Sequence, residues 1–308
     1  MKIMITGGAG FVGSHLTESL LKKNHELTII TRKQTKNLEH IKKEIKIEKF
    51  DISNFKSINE SIIKNKPEII VHLAGNTSHS KSFEKPLMDI NSNIKSTLNI
   101  LESLRSSLPN CKFVLGSTFV VIGKPDKLPV NEKSQCSPTT LYGVNKLTSE
   151  FYSKIYNNVY GLDTSIFRIT NSFGPREQVI PKKNAVNYLI HQAFNGKKIT
   201  IYNKGKFFRD LIYISDVVNG INKIITKGKS GELYWISSFK KTWFYDLGNW
   251  LEKFTESKIE YLETPSYTKK TDVGNFIVNN KKLCSLGWKP NVSLESGIKK
   301  TLQYFKEN

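Results

Sequence analysis

The sequence predicts an α/β fold, a doubly wound parallel sheet with a smaller C-terminal substrate-binding lobe. Three observations carry this. A glycine-rich turn joins a short apolar run to a helical stretch at the front of the chain. Apolar runs and helical stretches then alternate through the first half, and the alternation loosens beyond Asn171. Strand–helix alternation sustained over that length reads as a parallel sheet with helices on both faces.

Ile3, Met4 and Ile5 form the first strand, followed by Thr6-Gly7-Gly8-Ala9-Gly10-Phe11-Val12-Gly13-Ser14-His15. Leu16 to Lys23 has a helical pattern, and Glu26 to Thr31 is a second strand rich in β-branched residues. Strand, glycine turn, helix and strand within about thirty residues is the Rossmann-like setting in which such a turn binds a dinucleotide. One glycine allows the tight turn, one lets backbone N–H groups approach a pyrophosphate, and Gly13 lets the helix pack closely on the strand. Gly7, Gly10, Phe11, Val12 and Gly13 are the candidate cradle. A glycine loop alone would be consistent with no ligand; the strand and helix on its two sides favour the nucleotide.

An NAD-preferring unit usually ends its second strand in Asp or Glu, to bind the ribose 2′-OH. This chain has Thr31-Arg32-Lys33. A hydroxyl followed by two cations suits a 2′-phosphate, which an Asp would repel. NADP(H) is therefore expected, with NAD(H) as the alternative if the two cations are only solvated.

Ile45 to Phe50 is a third strand, followed by Asp51-Ile52-Ser53. Asp51 is placed to reach the adenine edge, and helix capping is compatible with that. Pro67 to Gly75, the fourth strand, is almost continuously apolar, as a strand covered on both faces should be. It ends in Leu73, Ala74 and Gly75, small enough near the end for a nicotinamide-side ribose to approach. Pro86 to Leu104 reads as one long helix containing Asn91 and Asn93. Lys112 to Gly116 is a fifth strand running into Ser117-Thr118, Leu141 to Tyr156 is helical, and Asp163 to Ile169 is a sixth strand. Further on, aromatic residues thicken and short helices such as Asn184–Phe194 and Phe244–Phe254 appear. The expected division is a dinucleotide-binding domain over 1–170, with 210–236 returning to it through the apolar Leu233–Ile236. The substrate lobe then comprises 171–209 and 237–308.

Tyr142-Gly-Val-Asn-Lys146 carries chemistry. Residues four apart share a helix face, so phenol and ammonium lie one turn apart. A free Tyr, with a pKa near ~10, is too weak a base at neutral pH. A neighbouring Lys⁺ and a positive nicotinamide ring are expected to favour the phenolate, and Lys146 can also bind ribose hydroxyls. Tyr-x-x-x-Lys occurs often as an ordinary surface pair. It gains weight from its place between the fifth and sixth strands, and from the Ser117-Thr118 hydroxyls that can hold a substrate oxygen.

Composition bounds the alternatives. The 308 residues include 38% hydrophobic and 11% aromatic residues, as in a globular protein. The formal charge of +20, from 47 basic and 27 acidic residues, raises nucleic acid or a membrane surface as partners. The lysines are scattered rather than gathered in a stripe, so neither is expected. The three cysteines, Cys111, Cys136 and Cys284, have no metal or disulfide spacing. With no apolar run of membrane length and no signal-peptide pattern, a cytoplasmic location and no metal are expected.

The chain resembles an extended short-chain dehydrogenase/reductase of the nucleotide-sugar epimerase/dehydratase family. Gly7–Gly13, Asp51-Ile52, His72-Leu73-Ala74, Asn93, Ser117-Thr118, Tyr142 with Lys146, and Arg168 through Asn171, Gly174, Pro175 and Arg176 fall in family order. So do Val179-Ile-Pro181, Ile201-Tyr202, Arg209-Asp210 through Asp216, and Leu286-Gly287-Trp288-Lys-Pro290. The resemblance implies Tyr142 as acid/base, Lys146 as its tuner and ribose ligand, and Thr118 as hydroxyl partner. It implies Asn171 and Arg209 as holders of a substrate diphosphate, a task that suits an Arg fork; a local Arg209–Asp210 ion pair is the alternative. Asn93 matches a structural position. The substrate would be a nucleoside-diphosphate sugar, and the protein a homodimer through the helices at Pro86–Leu104 and Leu141–Tyr156. The acidic pair that 4,6-dehydratases carry after Ser-Thr is here Phe119-Val120, and the usual Val-Tyr-Gly is Val121-Ile122-Gly123. A 4-keto reductase or a 4-epimerase is therefore expected over a dehydratase, with a non-catalytic NADP(H) sensor of the same fold as the alternative.

Overall fold

The computed structural model describes residues 1–32, 35–180, 185–263 and 271–308. Its centre is a seven-stranded parallel sheet. The strands are β1 (Lys2–Thr6), β2 (Glu26–Thr31), β3 (Lys46–Lys49), β4 (Ile69–His72), β5 (Lys112–Thr118), β6 (Thr164–Ile169) and β11 (Leu233–Ile236), in the spatial order β11-β6-β5-β4-β1-β2-β3. The order runs one way from β1 through β2 to β3, and the other way from β1 through β4. That reversal leaves a crevice beyond the carboxyl ends of β1 and β4, where open α/β sheets bind ligands. The central strands are apolar on both sides: Ile3, Met4, Ile5, Ile70, Val71, Val114 and Leu115 are all buried. Two clusters form, one on each face of the sheet.

Helices α1 (Phe11–Leu21) and α8 (Ile214–Lys227) pack together, as do α2 (Phe55–Asn65) and α5 (Ser96–Ser107). The stretch from Pro86 to Leu104 is not one regular helix. It comprises α4 (Pro86–Ile90), a π turn over Asn91–Lys95, and α5. Short α3 (His79–Glu84) precedes it. Helix α6 runs Leu141–Tyr160, one turn beyond the expected end, and stops where Gly161 takes φ 70°. The Thr140 hydroxyl caps its start, accepting from the Gly143 N–H at 3.0 Å.

Beyond Asn171 short pairings replace the main sheet. β7 (Asn171–Phe173) pairs with β10 (Leu211–Tyr213), β8 (Ile199–Tyr202) with β13 (Ile259–Leu262), and β9 (Phe208–Arg209) with β12 (Thr242–Trp243). Helices α7 (Ala185–Phe194), α9 (Phe244–Phe254), α10 (Lys281–Cys284) and α11 (Leu294–Glu307) complete this part. Leu233–Ile236 lies beside β6 in parallel register. Lys33, Pro181 and Asn184, named from the sequence, lie outside the described residues. Cys111, Cys136 and Cys284 are free thiols.

Candidate active site

The glycine turn follows β1 directly. Gly7 has φ +72°, and a Cβ there would meet the Ala74 backbone N at 2.8 Å. A Cβ at Gly13 would stand 2.2 Å from the Gly7 carbonyl oxygen, so the start of α1 presses on the turn as only glycine permits. Gly10 caps α1, and Phe11 and Val12 form its half-buried first turn. At the end of β4, Leu73 and Ala74 are half-buried, and a Cβ at Gly75 would meet the Asn93 side-chain oxygen at 2.4 Å. A backbone kept this bare, at a helix N-terminus and in the sheet's crevice, fits a dinucleotide pyrophosphate and ribose.

Arg32 and Asp51, assigned from the sequence to different parts of the cofactor, face each other at 3.7 Å with both side chains half-exposed. Burial raises the Asp51 pKa, but hydrogen bonds from Ser53 and the Arg32 charge prevail and hold it below the usual carboxylate value. Thr31 ends β2, and its carbonyl accepts from the Phe50 N–H at 3.2 Å. Ile52 is buried against the sheet, and its carbonyl accepts from the Asn99 side chain at 3.0 Å.

Thr118 ends β5, and Tyr142 and Lys146 lie one turn apart on α6, which packs on β5 and β6. Tyr142 and Lys146 are 7% and 5% exposed, and the Tyr142 phenol lies beside the Thr118 hydroxyl. The expectation that the phenol would be acidified needs correction for the protein alone. Burial pushes its pKa up, the Thr118 hydrogen bond works against this, and the charge of Asp89 adds to the rise. Desolvation of a buried phenolate outweighs a cation one turn away. Burial acts on Lys146 too, pulling its pKa to about 8 against the opposing charges of Glu150 and Asp89.

Two features beside this pair escaped the sequence. Glu150, one turn past Lys146 on α6, is fully buried and receives Ser117 Oγ at 2.5 Å, Arg168 Nε at 2.9 Å and Arg168 Nη2 at 2.7 Å. The bidentate pair ties α6 to β5 and β6. Arg168 also lies over the Trp235 ring, 5.2 Å from its centroid, and points Nη2 at Cys136 Sγ 3.2 Å away. The second feature is His79, whose ring stacks on Tyr142 at 5.5 Å and 30°. The four-residue spacing of Lys146 and Glu150 was a readable signal for the first; no sequence signal pointed to the second.

Asn171 and Arg209 belong to the region beyond β6. Arg209 is 8% exposed; its Nη2 meets Asp272 Oδ1 at 2.5 Å, its Nη1 donates to the Phe208 carbonyl at 3.1 Å, and its guanidinium lies 5.1 Å from the Phe207 ring centroid. The ion pair is therefore with Asp272 and not with neighbouring Asp210. Asp210 instead accepts from Ser238 N–H and Oγ, both at 2.8 Å, and burial pushes its pKa up to about 6. The buried side-chain oxygen of Asn171 has no hydrogen-bond partner among the described residues. Asn93, on the π turn, likewise leaves its side-chain oxygen unpaired against Gly75. Phe119 packs edge-on against Phe276 at 5.1 Å, and Val120 is buried. Among the described residues no acidic or thiol cluster could hold a metal ion, and no helix is long and apolar enough to cross a membrane.

The sequence profile of the family described as GDP-mannose 4,6 dehydratase matches residues 4–301. A putative UDP-glucose 4-epimerase of Methanocaldococcus jannaschii is 30% identical over 308 residues, covering 99% of either chain. Among solved structures, the UDP-glucose 4-epimerase of Thermotoga maritima with UDP-glucose superposes with a TM-score of 0.92 at 27% identity, over 100% of this chain and 99% of that one. The UDP-glucuronic acid 4-epimerase of Bacillus cereus, in complex with UDP-glucuronic acid and NAD, gives 0.88 at 26% identity, over 100% and 99%.

Proposed function

The chain belongs to the extended short-chain dehydrogenase/reductase family of nucleotide-sugar epimerases and dehydratases, and from that premise we propose that it interconverts a hydroxyl and a ketone at C4 of a nucleoside-diphosphate sugar, acting as a 4-epimerase. The observation that carries this reading is Tyr142 beside Thr118, with Lys146 buried one turn away on the same helix face.

The bare backbone at Gly7, Gly13 and Gly75 fits a nicotinamide dinucleotide, which when bound supplies the hydride acceptor and donor. The rest of the chemistry falls to the chain. Thr118 holds the sugar oxygen. Tyr142 takes the hydroxyl proton as the C–H bond breaks to leave a ketone, and returns that proton to the oxygen when hydride comes back on the other face. Lys146 stabilises the phenolate and binds the ribose hydroxyls. Asn171 and Arg209 grip the diphosphate, with Arg209 exchanging part of its Asp272 contact for phosphate oxygens. Phe119 and Val120 supply no carboxylate for eliminating water across C5–C6, which favours this reading over a 4,6-dehydratase. The Arg32 guanidinium, half-exposed at the end of β2, favours a second reading, a 4-keto reductase drawing on NADPH. The molecule acts as a homodimer, with 171–209 and 237–308 forming the substrate lobe.

The deciding experiment incubates the purified protein with a panel of UDP-, dTDP- and GDP-sugars, with NAD⁺ and with NADPH, and resolves products by chromatography. A 4-epimer formed without net cofactor consumption is the expected result. Stoichiometric NADPH oxidation on a 4-keto sugar selects the reductase. Binding of NADP(H) with no conversion of any nucleotide-sugar sinks both in favour of a sensor.

A further inference from the structure

Asp89 is 1% exposed, yet among the described residues no basic side chain forms an ion pair with it. Its two oxygens are instead clamped by amides: Asn76 Nδ2 donates to Oδ1 and Asn145 Nδ2 to Oδ2, each at 2.6 Å. Buried carboxylates ordinarily sit against a cation, because amide hydrogen bonds replace only part of the lost hydration. Asn145 lies three residues after Tyr142 and one before Lys146 on α6, so the clamp holds Asp89 at the turn carrying both groups. Asn76 fixes the loop into α3, its Oδ1 accepting from the Ser78 N–H at 3.2 Å, and α3 places the His79 ring on the Tyr142 face.

We propose that Asp89 is a positioning residue of this site, a buried carboxylate clamped by Asn76 and Asn145 whose fixed charge acts on the Tyr142 phenol, the Lys146 ammonium and the His79 imidazole at once. Of the other charged groups around Lys146, Glu150 also favours its ammonium, but Glu150 is paired bidentately with Arg168 from β6, and of the two carboxylates only Asp89 also acts on Tyr142 and His79. His72 of β4, bonded to Thr6 Oγ1 at 2.6 Å, stays neutral because burial, aided by the Lys146 charge, takes its pKa to about 3. The Asp89 charge works in one direction on all three targets. It opposes the phenolate, holds the ammonium against desolvation, and favours imidazolium on a ring whose pKa burial lowers. The charge thereby places the working range of the acid/base pair higher on the pH scale than the same pocket would without it.

Asp89→Asn removes the charge and keeps the shape, because the Asn145 amide can turn over and offer its oxygen to the new NH₂. Titration of the His79 imidazole by NMR in the full chain, assigned with His79→Gln, reads the field without any activity. Its midpoint should fall by roughly one pH unit, the scale on which a nearby opposite charge holds an imidazolium. Both limbs of the pH profile of nucleotide-sugar turnover should move toward acid with it, and this second readout rests on the function proposed above. Exchanging the pair, Asp89→Asn with Asn145→Asp, returns the charge to the clamp and should restore both midpoints. A structural contribution alone would lower the amplitude and leave the midpoints in place. If Asp89→Asn does not fold, Asp89→Ser, with room for a water, carries the same measurements. An unmoved His79 midpoint overturns the proposal. A shifted His79 in a protein that converts no nucleotide-sugar upholds it and removes the function instead.

Discussion

At the scale of single residues the site is a contest between burial and charge. Tyr142 is nearly sealed, so its proton is held more tightly than a free phenol's until positive charge arrives beside it. Tyr142→Phe removes the proton without disturbing the fit. Turnover of a true nucleotide-sugar substrate should fall by about 10²–10⁴-fold, the usual contribution of an acid/base group, with cofactor affinity nearly unchanged. Lys146→Ala should damage both quantities, and kinetics alongside calorimetric titration of the cofactor separates the two patterns. Arg32 poses the other test at this scale. If it reads a 2′-phosphate, NADP(H) binds the wild type more tightly than NAD(H), and Arg32→Asp narrows or reverses the gap. A charge-assisted Arg–phosphate contact is worth ~1.5–3 kcal/mol, and half-exposure puts this one toward the lower end. Tighter binding of NAD⁺ to the wild type would leave Arg32 as no more than the partner of Asp51.

At the scale of elements, helix α6 is the part on which the chemistry depends, and Glu150–Arg168 is its anchor. The pair is buried on both sides, at 0% and 3% side-chain exposure, and joins α6 to the strands that carry Ser117 and Arg168. Glu150→Ala should destabilise the fold by about 3–5 kcal/mol, because Arg168 is left charged and uncompensated. Removing both charges, with Glu150→Leu and Arg168→Leu together, should recover much of that loss in urea denaturation. A Glu150→Ala loss below about 1 kcal/mol would mean that Arg168 finds relief elsewhere. Glycine turn, alternating strands and the Tyr142–Lys146 spacing were legible in the sequence because each rests on a short-range rule of period or backbone freedom. The π turn at Asn91–Lys95 was not, and it carries Asn93 against Gly75, a contact between distant segments. The Asp89 clamp was hidden for the same reason. Its members stand thirteen and fifty-six positions apart from the carboxylate and meet only when the sheet has formed. Arg209 was named as a candidate phosphate ligand by resemblance, but its partner Asp272 follows from tertiary packing alone.

At the scale of the whole molecule, one face of α6 has no covering among the described residues. Leu141, Val144, Phe151, Ile155 and Val159 are 37%, 44%, 54%, 50% and 67% exposed. They recur at helical spacing, on the side opposite the buried Tyr142, Lys146 and Ser149. The neighbouring α4 adds Leu87 at 75%, Met88 at 57% and Ile90 at 40%. A monomer seldom leaves such a stripe in water, whereas a two-fold axis lets the same stripe cover itself. Burying side chains of this size is worth about 1.5–3 kcal/mol each when complete, so partial burial of several, counted on both partners, is enough to offset association entropy. The protein should therefore run as a dimer by light scattering at micromolar concentration. Phe151→Glu with Ile155→Glu sets four like charges across the axis and should yield a monomer. Because the opposite face of α6 holds Tyr142 and Lys146, loss of the dimer should also loosen the site, raising KM more than it lowers kcat. A wild-type monomer would show that the stripe is covered by something other than a second copy. A double variant that stays dimeric would place the interface on a different face.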